Sequence, residues 1–385
     1  MATAVYDAIV VGAGSVGMPG AVSLAEKGLK VLVIDQFASP GQGSNKCAIG
    51  GIRATHSAPA KIKLCLESLR VFSTWEQTHG DNIEWFQGGY CFVAYREHEE
   101  QVLKGLLKTQ QAHGLNIDWY DAKSLREIVP GLNPADLRGG TYSPEDGSAS
   151  PMLSCLAFYR LARECGVEFR FGERVTGIMR RKSTVIGVRT DKGGYATETV
   201  INAAGAWARS VAHAGGLDVP VHPDSHEAGI TEPVAPFLRP MMVDIRPAPG
   251  SHNYYFCQHK PGQIIFCITP DPPIVGTDRR ETSTFLPMVA RRMVDLMPDL
   301  ANLKVRRTWR GLYPMTPDGS PILGRSQTLQ GYVHAEGMCG QGYMLGPGVG
   351  ALAARLVIGQ LDEGDARVLE ELSPSRKFGG VEALK

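Results

Sequence analysis

Three glycines and one carboxylate near the start of the chain have the types and the spacing of a phosphate-binding turn. Gly12, Gly14 and Gly17 form the pattern G-x-G-x-x-G within the stretch DAIVVGAGSVG. In such a turn the first glycine allows the tight bend, the second lets the backbone approach a pyrophosphate, and the third lets helix and strand pack closely. Asp35, 23 residues after Gly12, can accept hydrogen bonds from ribose hydroxyls. These residues predict a site for the adenosine half of a dinucleotide.

The elements that must position this turn also have clear patterns. Residues 7–11 form an apolar run, a helical pattern starts at Ser15 and stops at Gly28, and KVLVID is a second apolar run. This order predicts a β–turn–α–β unit, with the N–H groups of the first helical turn facing the phosphates. The following residues, 37–60, are rich in Gly, Ser, Ala and Pro and lack a period. Loops of this length are often functional.

The rest of the chain predicts the α/β fold class. Helical spacing recurs several times before residue 215, and strand patterns dominate from about 216 to 310. The last part reads as a strand, a glycine-rich turn and a helix. We therefore expect a Rossmann-like, doubly wound parallel sheet that the chain leaves and re-enters, with an antiparallel β domain inserted into it.

Composition argues against several classes of function. Forty basic residues against thirty-nine acidic ones suggest no nucleic-acid partner and no anionic membrane surface. The apolar runs are short, so we expect no membrane span. The eight cysteines are scattered, no histidine pattern suggests a metal site, and the first residues do not resemble a signal peptide. These features predict a cytoplasmic enzyme without a metal.

Three features favour FAD over NAD, which share the adenosine half. No complete second βαβ half follows to take a nicotinamide nucleotide. TVINAAGAWA, from Thr199 to Ala208, ends a strand with small residues, so its backbone can approach a ligand. GMCGQGYMLGPGVG, from Gly337 to Gly350, precedes a helix whose N-terminus could face an electron-rich ring edge.

Five segments together resemble a known family. GAGSVG, GSNKCAIGGIRATHS, VINAAGAWA, WRGLYPMTPDGSPILG and GQGYMLGPGVG are similar to segments of the D-amino acid oxidase-like flavoproteins. The similarity is strongest to the branch with glycine oxidase, monomeric sarcosine oxidase, and the β subunits of sarcosine oxidase and proline dehydrogenase. The resemblance implies FAD with its ring at the junction of two domains. It also implies oxidation of a C–N bond by hydride transfer to flavin N5, followed by hydrolysis of the imine.

The resemblance also suggests which residues form each domain. We assign residues 1–85, 140–215 and 318–385 to a discontinuous FAD-binding domain. Residues 86–139 and 216–317 would form the substrate-binding domain.

Several residues take a role from the resemblance. Arg53 falls where relatives hold the substrate carboxylate, a task that suits the arginine fork. Tyr313 matches an active-site position, and either Tyr254 or Tyr255 should face the flavin because neighbours on a strand point oppositely; we favour Tyr255. A structural arginine and packed core tyrosines are the alternatives. Met344 completes the predicted catalytic set.

The predicted cofactor contacts extend over the whole chain. They are Gly12, Gly14, Ser15, Val16, Gly17, Asp35, Gln36, Gly43, Ser44, Gly50, Gly51, Val175, Ala204, Gly205, Trp207, Gly311, Gly340, Gly342, Tyr343 and Met344.

Four positions depart from the family. Sarcosine oxidases that bind flavin covalently have a cysteine where this chain has Gly311, and a β-subunit histidine that holds covalent FMN aligns with Pro151. Met344 replaces a lysine, and Cys267 lies near the place of the lysine that promotes the reaction with oxygen. Because a positive charge near the flavin stabilises the anions of that reaction, we expect non-covalent FAD that reacts slowly with oxygen.

The leading hypothesis is a dehydrogenase of proline- or sarcosine-like amines. It would be a β-type subunit of a hetero-oligomer that passes electrons to an α partner, with FMN at their interface if such a partner exists. The alternatives are a self-sufficient oxidase that produces hydrogen peroxide and a 2-hydroxy-acid or glycerophosphate-type dehydrogenase. A tRNA-modifying enzyme and an assembly subunit without chemistry are further alternatives.

Overall fold

The computed structural model describes residues 5–380 and 382–384. The strands are β1 Ala8–Val11, β2 Val31–Asp35, β3 Gly51–Ile52, β4 Tyr90–Ala94, β5 Asp118–Asp121, β6 Gly139–Ser143, β7 Gly147–Ser148, β8 Glu168–Phe171, β9 Val175–Arg181, β10 Thr184–Thr190, β11 Gly194–Ala196, β12 Val200–Asn202, β13 His222–Thr231, β14 Met241–Asp244, β15 Ser251–Gln258, β16 Ile264–Pro270, β17 Val305–Met315, β18 Ile322–Arg325 and β19 Tyr332–Glu336. The helices are α1 Gly17–Ala25, α2 Pro59–His79, α3 Glu97–Ala112, α4 Ala122–Ile128, α5 Pro151–Glu164, α6 Ala208–Ala214, α7 Phe285–Leu296, α8 Gly342–Ile358 and α9 Glu363–Glu371.

A mainly parallel sheet carries the phosphate turn. Its strand order is β18-β19-β12-β1-β2-β8, and β18 alone runs antiparallel to its neighbour. The central strands β1 and β2 are covered on both faces, which explains why their sequences are unbroken apolar runs. The predicted α/β fold with a parallel sheet is confirmed.

The two faces of this sheet are covered differently. On one face α1 packs against α5 and α8, and Val10, Met18 and Leu345 belong to one buried cluster. On the other face, residues of β9, β10 and α6 join the strand residues in a second cluster. The antiparallel sheet β11-β10-β9 therefore takes the place that a row of helices would have in a regular doubly wound fold.

The second large sheet forms the β-rich domain. Its order is β17-β13-β16-β15-β14-β4-β6-β5. Every pair is antiparallel except β4 with β14. One side of the sheet packs on α7, where the rings of Phe266 and Phe285 stack at 6.1 Å between centroids. The other side faces the first domain.

Strand pairing shifts one predicted domain boundary. We placed a division between residues 139 and 140, which falls inside β6. All partners of β6 are strands of the larger sheet, so by pairing the division follows Ser143. The other boundaries stay predictions.

The ends of the helices follow local signals. Ser150 caps α5 by accepting a hydrogen bond from the N–H of Leu153 at 3.4 Å. The helix predicted from Ser15 covers only Gly17–Ala25, because the phosphate turn occupies the residues before it. Among the described helices, none is by itself long and apolar enough to cross a bilayer; α8 and α9 reach that measure only together, and they are bent by 109°.

Candidate functional site

A long cavity connects the phosphate turn to the inner face of the larger sheet. It is lined by the predicted contact residues from Gly12 to Met344, with the single exception of Gly17. Arg53, Tyr255 and Tyr313 line it as well, whereas Tyr254 does not. The fold therefore brings residues from both ends of the chain to one continuous space.

The glycines of the turn differ in what surrounds them. Gly12 has a φ of +112°, which favours glycine, and its backbone lies against Ala203. A side chain on Gly17 would overlap the carbonyl oxygen of Gly12, so this glycine serves close packing and not the cavity. A Cβ on Gly14 would meet no protein atom within 4 Å. The open space beside the backbone of Gly14 fits a pyrophosphate.

Asp35 lies at the end of β2 and at the wall of the cavity. Its carboxylate accepts hydrogen bonds from the N–H groups of Ala13 and Phe37, both at 2.8 Å. Burial raises the pKa of this carboxyl, and the two backbone donors oppose the shift. Each carboxylate oxygen keeps a further acceptor position, so the predicted bond to a ribose is compatible with this geometry.

The long loop after β2 is tied to both domains. The hydroxyl of Ser44 donates to the carbonyl of Leu312 at 2.6 Å, and the indole N–H of Trp309 donates to the carbonyl of Cys47 at 2.9 Å. Asn45 donates to the carbonyl of Pro151 at 2.8 Å. These bonds fix the loop across the domain junction, so its glycines meet the cavity in a defined place.

The start of α8 brings a polar side chain that the sequence prediction missed. Gln341 is 5% exposed and lines the cavity. Neither atom of its side-chain amide has a hydrogen-bond partner among the described residues. Since a buried amide is rarely left without partners, this pair of a donor and an acceptor fits a ligand with a polar edge. Flavin is such a ligand, so the donor set at this end fits FAD.

Two tyrosine hydroxyls meet at the inner face of the larger sheet. The oxygens of Tyr255 and Tyr313 lie 2.6 Å apart. The ring of His226 stacks on Tyr313 with centroids 3.7 Å apart. Burial raises the pKa of both tyrosines well above its usual value, so both stay protonated. His226 was missed in the sequence, where only its polar character within a buried strand could have marked it.

Strand alternation separates the two neighbouring tyrosines of β15. Asn253 and Tyr255 line the cavity, whereas Tyr254 is fully buried and stacks on Phe256 on the opposite side, at 5.1 Å between ring centroids. The prediction that Tyr254 belongs to the catalytic set is wrong, because the pleat points its ring into the core of the β-rich domain.

Arg53 lies between the cavity and a buried polar cluster. Its guanidinium lies near the rings of Tyr90 and Phe92, at 6.0 and 5.3 Å from their centroids. Its two terminal nitrogens donate to the carbonyls of Thr55 and Leu384. Arg53 thus borders the substrate end but is already partly bonded.

Known proteins share this architecture. The model of the DAO family, FAD dependent oxidoreductase, matches residues 7–356. The hydrogen cyanide synthase subunit HcnC of Pseudomonas aeruginosa is 26% identical over 91% of this chain and 92% of its own length. The crystal structure of L-proline dehydrogenase from P. horikoshii has a TM-score of 0.90 and 29% identity, covering 97% of this chain and 98% of that one. Glycine oxidase from Geobacillus kaustophilus has a TM-score of 0.87 and 25% identity, covering 98% and 100%.

Proposed function

Because the chain belongs to the DAO family of FAD-dependent oxidoreductases, we propose that it oxidises an amino acid or a secondary amine that carries a carboxylate. The observation that carries this proposal is the placement of Arg53, the Tyr255–Tyr313 pair and the start of α8 around one cavity. Arg53 would supply the cation that binds a carboxylate, and the tyrosine pair and the start of α8 would form the walls around the flavin. Bound FAD would supply the hydride acceptor, and the imine product would hydrolyse in water.

The protein's own residues would divide the binding work. The turn at Gly14 and the carboxylate of Asp35 would hold the adenosine half, and the start of α8 with Gln341 would meet the flavin edge. The partial positive charge of that helix start favours electron density on the ring. On the substrate side of the cavity, Tyr255 and Tyr313 would orient the amine above the flavin ring. Holding the two reacting groups in this geometry raises the reaction rate.

We infer that FAD is bound without a covalent link. A Cβ at Gly311 would lie 2.7 Å from the Cβ of Cys47, so the position has no room for a linking cysteine. Burial raises the pKa of Cys47 itself, which therefore stays a thiol. Acid precipitation should leave all of the flavin in the supernatant; flavin retained in the pellet would contradict this inference.

Proline- and sarcosine-like amines are the substrates that we favour. The structures of L-proline dehydrogenase and glycine oxidase cover nearly the whole chain, which supports a small amino acid. This chain would be a β-type subunit that passes its electrons to an α partner, with FMN at the interface of the two subunits if such a partner exists. Met344 and Cys267 favour this route over oxygen, because these two uncharged side chains stand at or near the places where sarcosine oxidases have lysines. A self-sufficient oxidase is the second candidate, supported by the likeness to glycine oxidase.

Anaerobic reduction of the flavin tests the proposal. The purified protein is mixed with L-proline, sarcosine, glycine or a 2-hydroxy acid, and the flavin absorbance is followed. We expect bleaching by an amine and slow recovery when oxygen is added, with faster recovery when an artificial electron acceptor is added. Bleaching by the hydroxy acid alone would contradict amine oxidation, and fast recovery with oxygen would favour the oxidase.

A further inference from the structure

A short segment near the end of the chain, residues 382–384, is anchored in a buried site beside α2. Glu382 and Lys61 form an ion pair of 3.0 Å in which both side chains are fully buried. The carboxylate of Glu382 also accepts from the N–H and the hydroxyl of Ser57, at 2.8 and 2.6 Å. Burial would raise the pKa of Glu382, but the charge of Lys61 and the hydrogen bonds from Ser57 lower it below its usual range, so it stays ionised. A buried pair of this kind binds the segment firmly, because losing one partner leaves the other charge uncompensated.

The other end of the segment reaches the wall of the cavity. Leu384 is 1% exposed and packs in the cluster that contains Ile49, Tyr90 and Phe92, all of which line the cavity. Its carbonyl accepts a hydrogen bond from Nη2 of Arg53. The segment therefore connects a fixed ion pair to the arginine at the substrate end.

A count of donors shows what remains free on Arg53. An arginine has five N–H groups. Nη1 donates to the carbonyl of Thr55 and lies 3.2 Å from Nδ1 of His56, which is neutral because burial and Arg53 hold its pKa well below the usual value. Nη2 gives one N–H to Leu384. The N–H on Nε and the second N–H on Nη2 have no partner among the described residues, and together they can bind a carboxylate with two parallel bonds.

We propose that residues 382–384 are a positioning element for Arg53, holding its guanidinium so that the remaining pair of N–H groups faces the substrate carboxylate. This inference rests on the proposed function, which supplies the carboxylate. Without the segment, Nη2 would lose its fixed partner and the guanidinium could turn. Affinity for carboxylates would fall, while groups that do not use Arg53 would bind as before.

The test compares a carboxylate with its amide on the FAD-loaded protein. The probes are 2-furoate and 2-furamide, and the dissociation constant of each is measured from the change in the flavin spectrum. The variants are Glu382→Gln, Leu384→Ala and a chain that stops after Gly380. Glu363→Gln, whose side chain is 94% exposed, is the matched control.

We expect each variant to bind 2-furoate about tenfold more weakly, which corresponds to the loss of one charge-assisted bond, and to bind 2-furamide within about twofold of the wild type. Glu363→Gln should leave both constants unchanged. Equal weakening of both probes, or unchanged binding of 2-furoate, would overturn the inference. If the truncated chain does not retain FAD, the two single substitutions decide.

The outcome is separable from the proposed function, because binding needs no turnover. Wild-type protein that binds 2-furoate but whose flavin no amine reduces would refute the proposed reaction and leave the positioning role standing. Wild-type protein that binds neither probe would refute the carboxylate site itself.

Discussion

The two ends of the cavity are built in different ways. The phosphate end is backbone from one contiguous stretch, in which β1, the glycine turn and α1 follow each other directly. The opposite end, which would hold the flavin ring and the substrate, is made of side chains from distant segments, including Arg53, Tyr255, Tyr313 and Gln341. A backbone site depends on steric space that one methyl group removes. In a site made of side chains, several groups share the binding energy, so a single substitution should remove only a part of that energy.

The largest expected effect therefore lies at the phosphate end. Gly17→Ala should lower FAD affinity at least a hundredfold and destabilise the apoprotein by about 2–4 kcal/mol, because the added methyl overlaps the carbonyl of Gly12. Gly14→Ala is the matched variant, since its methyl meets no protein atom. It should lower FAD affinity about as much as Gly17→Ala while the apoprotein changes by less than about 0.5 kcal/mol.

Flavin fluorescence titration and chemical denaturation of the apoprotein measure both quantities. If Gly14→Ala destabilised the apoprotein as much as Gly17→Ala, the open space would not be a ligand site, and the comparison between the ends would lose its basis.

The same contrast explains what the sequence could predict. The strand–turn–helix unit and Asp35 were found because their chemistry is set by neighbours in sequence. The fold class and membership in the FAD-dependent family are confirmed. The wrong assignment of Tyr254 had another cause. Which face of β15 lines the cavity depends on the partner strands β14 and β16, and their register is a tertiary property.

Three features of the structure had weak signals in the sequence or none. Gln341 is the amide side chain in a run of glycines directly before α8, but that run was interpreted for its backbone alone. The ion pair of Lys61 with Glu382 joins residues that are far apart in the sequence, and no local pattern connects them. The parallel pairing of β4 with β14 likewise has no local signal, because the two strands are far apart in the sequence.

The second-largest effect is expected for the cation at the substrate end. Arg53→Lys should raise the half-saturating substrate concentration for flavin reduction about fiftyfold, with a smaller change in the limiting rate, because lysine cannot make two parallel bonds to a carboxylate. Arg181→Lys, at an exposed position in β9, is the control. Stopped-flow reduction at several substrate concentrations separates the two parameters. Unchanged half-saturation would remove Arg53 from the substrate site.

A smaller effect should follow from the hydroxyl pair. Tyr255→Phe removes the 2.6 Å contact with Tyr313 and should lower the rate constant for reduction at low substrate about tenfold, a loss typical of one orienting hydrogen bond at a reacting group. FAD content should not change, because the phosphate end is untouched. A rate equal to the wild type would show that the pair serves packing and not catalysis.

The smallest effect is expected one residue away and gives the sharpest contrast. Tyr254→Phe alters the same strand and the same side-chain type, but its ring lies in the core and its buried hydroxyl has no hydrogen-bond partner among the described residues. Removing a buried hydroxyl that lacks a partner should leave the reduction rate unchanged and raise the free energy of unfolding by about 1 kcal/mol. Denaturation and stopped-flow measurements on the same preparations test both statements. A loss of rate similar to that of Tyr255→Phe would mean that the core side of β15 contributes to catalysis, and the division between cavity face and core face would fail.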